Sequence, residues 1–253
     1  MTPIVTQCDE TFLPGLKALH NSYQRNSKEG FEFYAILAGS QEFVDHVSHD
    51  LGINVIHDPV VPIEKYPTSF HYPVVRTIMY KNILMPELFA EHEKSIYIDT
   101  DSLILQNLQP LIDVDIGDKV LAATRCNGNQ ASNYAPADDP ESFGPMTSLM
   151  IFNHRAWREK KITPRFIETV QREDITWHMI GQGALHFVVG DDWHELPWNT
   201  QAHAGHATYF TAPKKEVFTL HFMGTNPWCE FAPHIAPTER KLETRRIWQT
   251  YAS

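Results

Sequence analysis

The sequence has few cysteines, no long apolar run and no basic leader, and each of these absences excludes a class of protein. Its cysteines are Cys8, Cys126 and Cys229, which are far apart and form no CxxC pair. This favours a reducing compartment and argues against a structural disulfide. No apolar stretch approaches the length that spans a bilayer, and no basic segment followed by an apolar one indicates a signal peptide. We therefore expect a cytoplasmic protein without a transmembrane segment.

The chain also lacks an excess of positive charge. Its formal net charge is −10 at pH 7, which argues against general nucleic-acid binding. Basic residues near the end of the sequence could touch an anionic membrane surface, but interleaved glutamates favour an ordinary amphipathic helix. The 253 residues suffice for a sizeable core. No internal repeat or linker is evident, so we expect a single domain over residues 1–253.

Short apolar segments alternate with helical patterns along the chain. This alternation predicts βαβ units and an α/β fold with a mixed, mostly parallel sheet. A polar segment rich in turn-forming residues, 127–145, predicts a long loop, and such loops often act as lids. The predicted strands are 3–7, 31–37, 53–57, 95–98, 119–126, 148–153 and 217–222. The predicted helices are 12–25, 74–89, 155–172 and 237–251.

The segment SIYIDTDSLIL (95–105) ends an apolar strand with Asp99 and Asp101. Alternate residues of a strand share a face, so these carboxylates converge. They repel one another unless a proton or a cation lies between them. Because ligands bind beyond the carboxyl ends of parallel strands, the pair predicts a cation site. A second such pair, Asp113 and Asp115, follows a proline-containing connector, and we expect a solvated turn there.

One kind of enzyme that ends an apolar strand with Asp-x-Asp is the haloacid dehalogenase-like phosphatase. There the first aspartate attacks phosphorus and the second acts as acid and base. The segment FVVGDDW (187–193) resembles the acidic motif that completes the Mg²⁺ site of those enzymes. However, their nucleophile usually ends the first core strand, whereas several elements precede Asp99. Their Ser/Thr motif follows a strand, whereas Thr147 and Ser148 precede one. The phosphatase stays an alternative.

In a second kind of enzyme the pair holds a divalent metal on the diphosphate of a nucleotide-sugar. The segment TLHFMGTNPW (219–228) resembles the His-x-x-Gly…Pro-Trp signature of glycosyltransferase family 8, which includes glycogenin and bacterial lipopolysaccharide galactosyltransferases. Other segments resemble that family in the same order: IVTQCDETFLPGLKALHNS, YKNILMPELF, SLMIFNHRAWRE, GQGALH and LPWNTQ. The resemblance spans nearly the whole chain. It implies the Rossmann-like GT-A fold and retaining, metal-dependent transfer of a hexose from a UDP-sugar to a hydroxyl acceptor, such as a glycan.

The resemblance also implies a set of site residues. Asp99, Asp101 and His221 would bind the metal, and a donor set that includes imidazole suits Mn²⁺ better than Mg²⁺. Gln182 would lie by the reactive carbon of the donor sugar, with Asp101 also near the sugar. The other residues implied at the nucleotide-sugar site are Gln7, Asp9, Arg76, Lys81, Asn82, Thr100, Thr147, Ser148, Gly224 and Asn226.

Simpler interpretations of three of these residues stay open. The resemblance implies that Asp9 faces the uracil and that the backbone near Gln7 lines the base pocket. Asp9 could instead cap a helix. His221 could be a core histidine, and Gln182 an ordinary polar residue at the start of a helix.

The sequence departs from the family pattern at several positions. Gly181 stands where the family has an aspartate, Met146 begins the segment that replaces Asn-Ala-Gly, and Asn226 replaces a lysine. Arg76 or Lys81 would then have to neutralise the diphosphate charge. These departures leave a further alternative, a nucleotide-sugar- or glycan-binding protein of the same fold without catalytic activity.

Overall fold

The computed structural model describes residues 1–63, 77–125, 144–172, 180–204, 216–222, 226–229 and 239–252. The strands within these ranges are β1 (Thr2–Asp9), β2 (Phe31–Ala38), β3 (Asn54–His57), β4 (Lys94–Ile98), β5 (Ser102–Ile104), β6 (Leu121–Arg125), β7 (Pro145–Asn153), β8 (Trp193–Leu196), β9 (Gln201–His203) and β10 (Thr219–His221).

These strands form two sheets. The larger sheet has the order β3-β2-β1-β4-β7-β6-β8. Strand β7 runs antiparallel to β4 and β6, and the other neighbours are parallel. The predicted mixed, mostly parallel sheet is therefore confirmed. The smaller sheet has the order β5-β10-β9, with β10 antiparallel to β5 and parallel to β9.

Helices cover both faces of the larger sheet. The α-helices are α1 (Leu13–Asn26), α2 (Gln41–Asp45), α3 (Met85–Leu88), α4 (Gln109–Ile112), α5 (His154–Glu159), α6 (Ile162–Val170), α7 (Ile180–Val189) and α8 (Glu239–Ala252). Short 3-10 helices span Glu10–Phe12, Thr77–Leu84 and Trp198–Thr200, and a π-helical turn spans His46–Asp50. Alternate residues of β4 enter opposite halves of the core: Tyr97 packs on one side of the sheet, and Ile96 and Ile98 pack on the other.

Two helices that the sequence predicts as continuous are broken. The first was predicted over 74–89, of which 74–76 lies outside the described residues. The structure has a 3-10 helix over Thr77–Leu84, followed by the short α3. The 155–172 prediction is split into α5 and α6, with Lys161 at φ 53° between them. Pro86 and Pro164 explain both breaks, since proline lacks an N–H and its ring clashes with the carbonyl four residues earlier.

The predicted loop over 127–145 lies mostly outside the described residues, which resume at Gly144. The predicted helix over 237–251 is confirmed as α8. Within the described ranges no helix combines the length and the apolar character that crossing a membrane requires.

Candidate metal centre

The two aspartates lie in the turn that joins the larger sheet to the smaller one. Asp99 follows β4, and Asp101 precedes β5. The Asp99 N–H donates to the Ser148 carbonyl oxygen at 2.9 Å. Between the two, the Thr100 hydroxyl donates to the Gln7 carbonyl oxygen and lies 2.9 Å from the Thr6 hydroxyl. These bonds fix the backbone of the turn at the carboxyl end of the central strands.

His221 reaches the aspartates because β10 pairs with β5. In that pairing His221 lies opposite Ser102, and the Phe222 N–H donates to the Asp101 carbonyl oxygen at 2.8 Å. The His221 Nε2 atom is 3.2 Å from Asp101 Oδ1 and 3.8 Å from Asp99 Oδ2. One ligand atom from each of the three side chains lies within 4.8 Å of the others. The structure thus brings together the three residues that the family resemblance assigns to a metal.

The electrostatics of the cluster favour an added positive charge. Burial first, and the charge of Asp101 second, raise the pKa of Asp99 to about 6, although His221 and Tyr97 favour its charged form. Burial lowers the pKa of His221, but Asp101 and Asp99 outweigh that effect, so the pKa lies above its ordinary value. In the deprotonated form that binds a metal, the two carboxylates and the neutral imidazole carry a charge of −2, which a divalent cation would balance.

The donor set also fits such a cation. Carboxylate oxygens together with an imidazole nitrogen suit Mn²⁺ or a similar transition metal better than they suit Ca²⁺ or Mg²⁺, which prefer oxygen alone. Both aspartates are half-buried, whereas His221 is buried. The carboxylates therefore keep an open side on which the phosphate oxygens of a substrate could complete the coordination.

Gln182 lies at the same edge of the sheet as the metal centre. Its Oε1 accepts a hydrogen bond of 3.0 Å from the Thr147 hydroxyl. Thr147 neighbours Ser148, whose hydroxyl donates to Gln201 Oε1 at 2.5 Å. Through the Ser148 carbonyl this segment of β7 also holds Asp99. Gln182 is thus buried and tethered rather than an exposed polar residue at a helix start.

Lys81 and Asn82 are buried close to the same edge, each with a protein partner. The Lys81 ammonium donates to the Asp58 carboxylate, and also to the Pro59 carbonyl at 2.8 Å. The Asn82 N–H donates to Gln7 Oε1 at 3.1 Å. The Lys81 charge is therefore already balanced by Asp58, and its contact with a diphosphate stays a prediction.

Asp9 caps the short helix that follows β1. Its Oδ1 accepts from the Thr11 N–H at 3.0 Å and from the Thr11 hydroxyl at 2.5 Å. This is the capping role that the sequence left open, and a contact with uracil stays a prediction. The Asn226 carbonyl accepts from the Cys229 N–H at 3.0 Å. Arg76 and Gly224 lie outside the described residues.

The sequence did not single out Gly15, which lies against the turn. A Cβ at this position would be 2.9 Å from the Thr100 carbonyl oxygen and 2.6 Å from Cη2 of Trp228. Helix α1 can therefore approach the backbone between the two aspartates only without a side chain here. The signal was available as a glycine directly after Pro14 at the start of a predicted helix.

The acidic residues that suggested a phosphatase lie elsewhere. Asp191 and Asp192 precede β8, which is parallel to β6, and β6 and β4 both run antiparallel to β7. Asp192 is therefore at the opposite edge of the sheet from Asp99, where Lys160 holds its carboxylate at 2.8 Å. The haloacid dehalogenase-like alternative, which needs both motifs at one site, is not supported.

The chain is similar to known proteins in sequence and in fold. A family model described as glycosyl transferase family 8 matches residues 3–232. General stress protein A of Bacillus subtilis is 28% identical over 132 residues, covering 49% of this chain and 46% of that protein. The probable galacturonosyltransferase 14 of Arabidopsis thaliana is 24% identical over 222 residues, covering 76% of this chain and 41% of that protein. The chain thus spans less than half the length of these curated relatives.

A solved structure extends the likeness to three dimensions. The galactosyltransferase LgtC, in complex with donor and acceptor sugar analogs, matches with a TM-score of 0.76 at 18% identity, covering 99% of this chain and 95% of that one. The fold is therefore the GT-A fold that the sequence predicted.

Proposed function

Since the chain belongs to glycosyl transferase family 8, we propose that it transfers a hexose from a UDP-sugar to a hydroxyl group, as on a glycan, with retention of configuration. The convergence of Asp99, Asp101 and His221 at the carboxyl edge of the central strands carries this proposal. One sequence relative is by name a probable galacturonosyltransferase, which supports a six-carbon sugar as the donor.

The metal ligands would be Asp99 Oδ2, Asp101 Oδ1 and His221 Nε2, the atoms that face one another. A bound Mn²⁺ would supply the positive charge that stabilises the departing diphosphate. The protein itself contributes the geometry. Thr100 is tied to β1 and Asp99 to β7, so the carboxylates need little rearrangement when a donor binds.

Gln182 would support the reacting carbon of the sugar electrostatically. Its Oε1 accepts from the Thr147 hydroxyl, which fixes the amide at the carboxyl edge of the sheet. The partial negative charge of that oxygen would stabilise the positive charge that develops as the diphosphate leaves. An amide is too weak a nucleophile to favour a stable covalent intermediate. The acceptor hydroxyl would then attack from the side on which the diphosphate departs, which retains the configuration.

The diphosphate needs a second source of positive charge, because it carries more negative charge than one divalent ion balances. Lys81 is engaged by Asp58, so we propose Arg76, whose planar guanidinium can hold two phosphate oxygens. We further propose that the backbone near Gln7 and the Asp9 side chain contact the uracil.

A non-catalytic protein that binds the same nucleotide-sugar is the second candidate. Gly181 offers no side chain to the donor sugar, and Asp58 neutralises the buried Lys81. Both features would reduce the contacts available to the donor while leaving the metal ligands intact. This candidate predicts that UDP binds with Mn²⁺ but that no UDP-sugar is turned over.

The experiment measures UDP release from UDP-galactose, UDP-glucose and UDP-galacturonate, with Mn²⁺ and with a chelator. Turnover should require Mn²⁺, and NMR of the product should show the anomeric configuration of the donor. Asp101→Asn should lower turnover about 100-fold or more, since losing even a partner of a metal ligand costs roughly 10–100-fold. The control is Asp115→Asn, in the exposed second Asp-x-Asp segment. Turnover that survives the chelator, or an inverted product, would contradict the mechanism.

A further inference from the structure

Tyr97 is a buried tyrosine whose hydroxyl meets a metal ligand. It lies on β4 between Val5 of β1 and Met150 of β7 and has no exposed surface. Asp99 follows two residues later, on the same side of the chain, and its Oδ1 accepts a hydrogen bond of 2.6 Å from the Tyr97 hydroxyl. This bond leaves Oδ2 as the Asp99 oxygen that faces His221, at 3.8 Å from Nε2.

Gln7 lies beside Tyr97 on the neighbouring strand. Because Val5 pairs with Tyr97, Gln7 is next along β1 on the same face, towards Asp99. Its Oε1 accepts from the Asn82 N–H at 3.1 Å, and its side-chain amide favours the ionised form of Tyr97 against the effect of burial on the Tyr97 pKa. The 3-10 helix thus anchors the Gln7 side chain on the face of β1 that lies beside Tyr97.

We propose that Tyr97 is a positioning residue of the metal centre. Its hydroxyl occupies Oδ1 of Asp99, so the carboxylate is held in the rotation that presents Oδ2 to the shared site. Gln7, on the same face of the neighbouring strand, supports this position of the Tyr97 hydroxyl. Hydrogen-bond partners of metal ligands orient those ligands and contribute to metal affinity. This inference rests on the proposed function, because it requires that Asp99 bind a metal.

The chain offers a matched control on the same row of the sheet. Tyr34 of β2 and Tyr97 of β4 both pair with Val5. The Tyr34 hydroxyl also donates to a carboxylate two residues away, Glu32 at 2.9 Å. That bond points towards the amino end of its strand, away from the metal centre. Replacing either tyrosine by phenylalanine removes one hydroxyl and one bond to a carboxylate, but only one of the two carboxylates belongs to the site.

The experiment titrates each protein with Mn²⁺ alone and follows the free ion by electron paramagnetic resonance. Tyr97→Phe should weaken Mn²⁺ affinity by about 10-fold or more, the usual effect of removing a partner of a metal ligand. Tyr34→Phe should bind Mn²⁺ as the unchanged protein does. Gln7→Met, which keeps the Tyr97 hydroxyl, should give a smaller loss, and it provides a second test if Tyr97→Phe does not fold.

Thermal unfolding with and without Mn²⁺ separates positioning from a general loss of stability. A structural role lowers the melting temperature equally in both conditions, whereas a positioning role reduces the increment that Mn²⁺ adds. Unchanged Mn²⁺ affinity in both Tyr97→Phe and Gln7→Met, with normal binding by the unchanged protein, would overturn the positioning role alone. Failure of the unchanged protein to bind Mn²⁺ would overturn the metal centre, and the positioning role with it.

Discussion

Replacing Gly15 by alanine would force helix α1 away from the turn that carries the two aspartates. The added Cβ would lie 2.9 Å from the Thr100 carbonyl oxygen and 2.6 Å from Cη2 of Trp228. The tryptophan ring can tilt, but the Thr100 carbonyl belongs to a backbone that hydrogen bonds tie to β1. Either the helix or the turn between Asp99 and Asp101 must therefore move.

The size of the effect follows from two opposing contributions. Inserting a methyl group into a well-packed site costs about 1–3 kcal/mol, whereas alanine regains at most about 1 kcal/mol through its better helix propensity. We expect the free energy of unfolding of Gly15→Ala to fall by up to about 2 kcal/mol, as the difference of these two contributions. Because the displaced backbone lies between two metal ligands, the affinity for Mn²⁺ should fall as well.

Urea denaturation without metal and titration with Mn²⁺ measure the two effects separately. Gln24→Ala, at an exposed position of the same helix, is the control and should change neither. Combining Gly15→Ala with Trp228→Leu relieves only the contact with the ring. The double variant should therefore still bind Mn²⁺ weakly. If Gly15→Ala unfolds and binds Mn²⁺ as the unchanged protein does, the close packing of the helix does not position the turn.

Three further outcomes are expected. Arg76→Ala should weaken UDP-sugar binding, measured by calorimetry, by about 1.5–3 kcal/mol, the usual worth of a hydrogen bond to a charged group. Lys81→Ala should leave that binding unchanged, because Asp58 already holds the Lys81 ammonium. Equal effects of the two substitutions would contradict the assignment of Arg76 to the diphosphate. Burial lowers the pKa of His154 to about 4, so stability should be complete above its ordinary pKa and fall as the pH drops from 6.5 towards 4. The loss by pH 4.5 should be about 2–3 kcal/mol, and His154→Gln should show a flatter dependence in denaturation at several pH values. Limited proteolysis within 127–145 should slow when UDP and Mn²⁺ bind, since we expect this segment to cover the donor; unchanged cleavage with binding confirmed would argue for a passive loop.

Strands β1–β4, β6, β7 and β10 were predictable because each lies in its own apolar run. Strands β5, β8 and β9 were not predicted, and β8 and β9 are short and partly polar. The same reasoning located Asp99 and Asp101, since two carboxylates that end a buried strand need a counter-charge. His221 could not be placed in this way. It meets the aspartates only because β10 pairs with β5, and a pairing across more than a hundred residues has no local signature. The family resemblance supplied that contact.

Two helix predictions were wrong because a proline interrupts each helix. The apolar spacing in 74–89 and 155–172 favours helices, but Pro86 and Pro164 remove a backbone donor and collide with the preceding turn. The first break has a consequence for the site. In the 3-10 segment the Asn82 N–H donates to Gln7 Oε1, which ties that segment to the metal centre.

The sequence also gave no indication of how the ligands are supported. Tyr97 looks like any core aromatic residue of a strand, and its role depends on the direction of one hydroxyl towards Asp99. Lys81 looks like a cation available to phosphate, but Asp58, at φ 41° after β3, is already its partner. Whether such contacts form depends on differences of a few tenths of an ångström in the positions of side-chain atoms, which residue spacing does not encode.

The most direct test of the central claim is a calorimetric titration with UDP, with Mn²⁺ and with a chelator. If Asp99, Asp101 and His221 share one ion, UDP should bind tightly only when Mn²⁺ is present. Alanine at any of the three should abolish that dependence, whereas Asp113→Ala, in the exposed second pair, should preserve it. Equal affinity for UDP with Mn²⁺ and with the chelator would contradict a shared metal centre.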